Sequence, residues 1–94
     1  MKGSVNVSAN AAAWLKYNEH IDIKNLLSVI NSALASTAPN QAYIDIMANN
    51  LMIGFNFEGK EQDLCLLITA NSLGSNITFI KFLIDEIKAF EVEL

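Results

Sequence analysis

Ninety-four residues, 52 % of them hydrophobic, bound the fold to one small core, because a chain this short cannot bury two. The formal charge is −4 and every basic residue is a lysine, at positions 2, 16, 24, 60, 81 and 88 with no two adjacent; this excludes the clustered, arginine-rich surface of a nucleic-acid binder. One cysteine, Cys65, excludes an internal disulfide and a thiolate metal cluster, and no apolar run approaches a membrane span, so the chain reads as a cytoplasmic protein of one domain, 1–94, without membrane contact.

In chain order, "GSVNVSA" alternates Val5 and Val7 with polar residues and predicts a short N-terminal edge strand or an ordered arm. Ser8 or Asn10 is placed to cap a short helix through "AAAWLKYN", with Trp14 and Leu15 as its anchor. Asp22 then caps an amphipathic helix in "IKNLLSVINSALASTA", where Ile23, Leu26, Leu27, Ile30, Ala33 and Leu34 form one stripe and Pro39 lies beyond the end. Its other face is small and uncharged: Asn25, Ser28, Asn31, Ser32, Ala35 and Ser36.

"AYIDIMANNLMIGFNF" predicts a hairpin. With Asn49 and Asn50 as the central turn residues, Ala48 falls opposite Leu51, Ile46 opposite Ile53 and Ile44 opposite Phe55, so one face is wholly apolar. The polar loop "EGKE" leads to a third strand, with Leu64 by Phe55, Leu66 by Ile53 and Ile68 by Leu51. After "ANSLGSN", Ser75 or Asn76 caps a helix in which Ile77, Ile80, Leu83, Ile84, Ile87 and Phe90 form a stripe and Lys81 and Asp85 stand at pairing distance. Phe82 points away from that stripe. The expected fold is α+β: a three-stranded antiparallel meander, with a fourth N-terminal edge strand as an option, and helices before and after packed on one face.

Sites for chemistry are thin. His20, the one imidazole, stands in "NEHID" without the convergent ligands or partners that a metal or a catalytic base requires, and reads as a linker or capping residue. Cys65 has no base in its strand, and Asp45 and Asp63 fall on the two outer strands of the meander, so a carboxylate pair is not built. The glycines at 3, 54, 59 and 74 have unrelated spacings and make no phosphate loop. No catalytic residue, metal or cofactor is expected. Gly54, in the middle of a central strand, marks close approach of another group.

The second sheet face then holds Tyr43, Asp45 and Met47, then Met52, Gly54 and Asn56, then Asp63, Cys65, Leu67 and Thr69. Three coverings are open: the leading residues with Trp14 as a plug, a second copy of the chain, or a different protein. Large apolar side chains left in water forgo about 1.5–3 kcal/mol each, which favours association. The expected function is a small acidic protein-binding module, an adaptor, inhibitor or immunity-type factor, non-catalytic and homodimeric, that binds through Tyr43, Asp45, Met47, Met52, Gly54, Leu67 and Phe82. The order helix, three-stranded meander, helix from Asn25 to Phe90, with an acidic balance, resembles the first part of the small dimeric chaperones of type III secretion systems. That resemblance implies the alternative of a holder for an extended client segment. A small enzyme using His20 and carboxylates is the remaining alternative, and it requires His20, Cys65, Asp45 and Asp63 to converge.

Overall fold

A computed structural model describes residues 4–18, 21–68 and 75–93 of the chain. The sequence positions His20 and Thr69 and the predicted loop at 70–74 lie outside the described residues. The elements are β1 (Ser4–Val7), α1 (Ala9–Tyr17), α2 (Ile23–Ala35), β2 (Gln41–Met47), β3 (Asn50–Asn56), β4 (Leu64–Ile68) and α3 (Asn76–Glu93). They build the α+β fold that the hydrophobic pattern predicts. The sheet order is β1-β2-β3-β4, with β1 parallel to β2 and the rest antiparallel. The N-terminal segment is therefore the fourth, edge strand.

The core lies on one side of this sheet. Ala42 and Ile44 of β2, Leu51, Ile53 and Phe55 of β3, and Leu66 and Ile68 of β4 join Ala11 and Leu15 of α1, five residues of α2, and Phe79, Leu83 and Ile87 of α3 in a continuous cluster. Their alternation along each strand is what directs them to one face. Trp14 packs against that same cluster, so α1 covers the core face and is not the plug over the second face that the leading residues offered.

Each helix starts on a side-chain cap. The Ser8 hydroxyl accepts from the Ala11 amide, the Asp22 carboxylate from the amides of Lys24 and Asn25, and the Ser75 hydroxyl from the Thr78 amide. Because β4 runs in the direction of β2, the helices that precede β2 and follow β4 run the same way, and their N-termini meet. There Asn25 and Asn76 exchange two amide hydrogen bonds of 2.8 Å. Two stripes shift from the sequence reading. Val29 is buried in α2, and Phe79 takes the place in the α3 core expected for Ile77, which is 82 % exposed.

The hairpin register also differs. Ala48 (φ 52°) and Asn49 (φ 62°) are the central turn residues, as a turn with positive φ at both positions demands, and Met47 pairs with Asn50. Ile46 then faces Leu51, Ile44 faces Ile53 and Ala42 faces Phe55. Moving the turn by one residue changes every partner by two, so the faces survive while the pairs change. The observed pairs set small Ala42 against large Phe55 and Tyr43 against Gly54. The register of β4 on β3 is the expected one.

Candidate functional site: the helix-free sheet face

The second face is organised around Gly54. Tyr43, its partner on β2, lays its ring over the glycine, where a Cβ would overlap ring atoms Cζ and Cε2 and come within 2.6 Å of Oη. The close approach expected at Gly54 thus comes from a neighbouring strand of the same sheet. Beyond Gly54 the Tyr43 hydroxyl donates to Asp63 Oδ2 at 2.7 Å and lies 3.8 Å from Cys65 Sγ. Asn56 Nδ2 donates to Asp63 Oδ1 at 3.0 Å, so both carboxylate oxygens have partners. Burial, and then the bond to Asp63 with a smaller contribution from Cys65, holds the Tyr43 phenol well above its ordinary value.

Asp45 belongs to a separate group at the start of α1. Ser8 Oγ donates to Asp45 Oδ1 at 2.8 Å while accepting from the Ala11 amide, so one hydroxyl caps the helix and ties its entrance to β2. The Ile46 amide adds a bond of 2.8 Å to the same oxygen. These bonds, Ser8 first, hold the Asp45 carboxyl below its ordinary range. Asp45 and Asp63 have different partners and form no common acid–base site.

Three apolar members of the face differ in exposure. Leu67 is 52 % and Met47 49 % exposed, whereas Met52, central on β3 between Asp45 and Leu67, is only 6 % exposed. Met52 is therefore part of the floor of this face and not an accessible anchor. Phe82 does not join it. It lies on α3, across the sheet, 38 % exposed and stacked on Phe79 with ring centroids 6.4 Å apart. The structure thus brings Tyr43, Gly54, Asp63, Cys65 and Asn56 together, sets Asp45 and Met47 to one side, and separates Phe82.

The free edge of β4 was not singled out in the sequence. The Ile44 carbonyl accepts from the Ser8 amide, so Ile44 directs its backbone groups to β1 and its neighbours Tyr43 and Asp45 direct theirs to β3. Carried through the paired registers, this alternation turns Leu64, Leu66 and Ile68 toward β3 and the N–H and C=O of Cys65 and Leu67 outward. No strand lies beyond β4, and no backbone hydrogen bond reaches its outer side among the described residues.

A cleft of about 160 Å³ opens where α2 and α3 begin, lined by Ile21, Asp22, Leu26 and Phe79 beside the Asn25–Asn76 pair. It is smaller than the ~300–1,000 Å³ usual for small-molecule sites, and its two amides satisfy each other. Among the described residues no group of three or more His, Cys, Asp or Glu is placed to hold a metal ion, and no helix is long and apolar enough to cross a membrane. Comparison of the chain with family models, with curated proteins and with solved structures gives no match.

Proposed function

We propose that this protein is a small, non-catalytic protein-binding module that self-associates and presents the helix-free face of its sheet to a protein partner. The observation that carries this reading is the presence of two half-exposed apolar residues, Met47 on β2 and Leu67 on β4, on a sheet face that all the helices leave bare. Interfaces favour such Met and aromatic surface with a few fixed polar groups, here Tyr43 and Asp63. The carboxylates on the face are already engaged by Ser8, Tyr43 and Asn56, which supports a positioning role for them over acid–base work. The exposed free thiol of Cys65 suits a reducing compartment such as the cytoplasm. A holder of an extended client segment is the second reading, favoured by the open β4 edge, since an added strand is a common mode of peptide capture.

The test is the solution mass by light scattering across a concentration series, for the wild type and for Leu67→Asp. The expected outcome is a wild type above monomer mass and a folded, monomeric variant. A wild type that stays monomeric at every concentration, with a variant of unchanged fold and solubility, removes the support for the reading.

A further inference from the structure

We infer that two copies of this chain join by antiparallel pairing of β4 with β4, across a two-fold axis at Leu66, into one continuous eight-stranded sheet. The inference rests on the self-association proposed above and adds its geometry.

The first ground is the state of the edge. Natural sheets protect their outer strands with lysine, proline, a bulge or a covering element. β4, Leu64-Cys65-Leu66-Leu67-Ile68, carries no charge and no proline, pairs with β3 without a bulge, and has no backbone hydrogen bond to its outward groups among the described residues. Strand addition supplies partners for those groups.

The second ground selects a second copy as the occupant. Identical edges related by a two-fold axis must pair antiparallel, each residue opposite one at the mirrored position. Placing Leu66 on the axis gives the full overlap of the strand and sets Leu64 opposite Ile68 and Cys65 opposite Leu67 of the second copy. Every pair is apolar against apolar. Leu64, Leu66 and Ile68 all lie on the core side, so the cores of the two copies become continuous, and Cys65 and the half-exposed Leu67 cover each other on the second face. Cys65 and Leu67, the residues with outward backbone groups, become the hydrogen-bonded pairs. No like charges meet across the seam in spite of the net charge of −4. The opposite edge is a poorer candidate: β1 is four residues long and turns Ser4 and Asn6 to the second face. Tyr43, Asp45 and Met47 of both copies remain open on the enlarged face.

Residues opposed in a hydrogen-bonded antiparallel pair have Cα atoms about 5.5 Å apart, inside the roughly 4.4–6.8 Å that a disulfide spans. The test therefore mixes wild type, whose thiol is at 65, with the variant Cys65→Ser/Leu67→Cys, whose thiol is at 67. Each protein is oxidised alone and in the mixture and run on a non-reducing gel, with light scattering alongside. The expected result is a reducible dimer band in the mixture and none in either protein alone. A band from the wild type alone, or from the variant alone, places the axis at another residue and overturns the inference. So does a scattering dimer that yields no band in any sample, an outcome that leaves the proposed self-association standing. A monomeric wild type overturns both, and an added extended peptide that binds such a monomer at β4 assigns the edge to a client strand.

Discussion

The Tyr43 ring fills the space above Gly54 that any other residue would claim for its side chain. The observed hairpin register places the two residues opposite each other, the tyrosine hydroxyl reaches Asp63, and Met47 and Leu67 are the half-exposed apolar residues of the face. Gly54→Ala must displace the ring and break that hydrogen bond, at a cost of about 1–3 kcal/mol by overpacking. In a Tyr43→Ala background the same change should be neutral or stabilising, because alanine suits a strand better than glycine. Urea unfolding of the four proteins of this cycle measures the coupling. Additive losses would mean that the ring does not occupy that space.

Tyr43 ionises above the ordinary 10.0, first because it is partly buried and then because it donates to Asp63. A folded value above the unfolded one gives stabilisation that is complete below about pH 10 and is lost as the pH climbs through the folded value. In a Tyr17→Phe background Tyr43 is the sole tyrosine, and its ultraviolet titration should rise well above the usual range. Asp63→Asn should bring it part of the way back, burial being the larger cause. Titration at or below the ordinary value contradicts the described contacts.

Ser8 joins a helix cap to a carboxylate, and the two roles separate with pH. The Asp45 carboxyl is held below its ordinary 3.8 mainly by Ser8, so its contribution is present above that value and is lost as the pH falls through the folded one. Ser8→Ala should cost about 0.5–2 kcal/mol near neutrality through the lost cap, and the gap from wild type should narrow below about pH 4 without closing, as the Asp45 part disappears. Denaturant curves at neutral and acid pH give the comparison; a gap that widens in acid would reverse the assigned sign.

Ala48 holds a left-handed backbone conformation at φ 52°. Such a residue costs roughly 1–2 kcal/mol, and glycine removes that strain while adding about 0.4–1 kcal/mol of unfolded-state entropy. Ala48→Gly should therefore raise stability by about 0.5–1 kcal/mol in thermal melts. Loss of stability would instead place Ala48 in the strand, with the turn at Asn49 and Asn50.

Much of this architecture is legible in residue order. Alternation in β2 to β4 and helical spacing in α2 and α3 point most of the core residues inward, and Asp22 marks a helix start, because these signals are local. The turn did not follow from propensity. Asparagine suits positive φ better than alanine, so the dipeptide Asn49-Asn50 drew the turn one residue late, against a fit of Tyr43 on Gly54 that exists only across strands. The same limit hid the Ser8–Asp45 and Asn25–Asn76 bonds, whose partners are 37 and 51 residues apart. Phe79 and Ile77 both lie near the edge of the α3 stripe, and the buried one is Phe79, which lines the cleft beside Leu26 and Val29 of α2.

If association uses the sheet face and seam around Leu67, methyl NMR during dilution will detect it there. Leu67, Ile77 and Val92 are all exposed apolar residues, and of the three only Leu67 lies on the sheet. The Leu67 methyl signals should shift and broaden as concentration rises while those of Ile77 and Val92 stay fixed. Leu67 signals that do not move at any concentration, with or without movement of the α3 methyls, would contradict it.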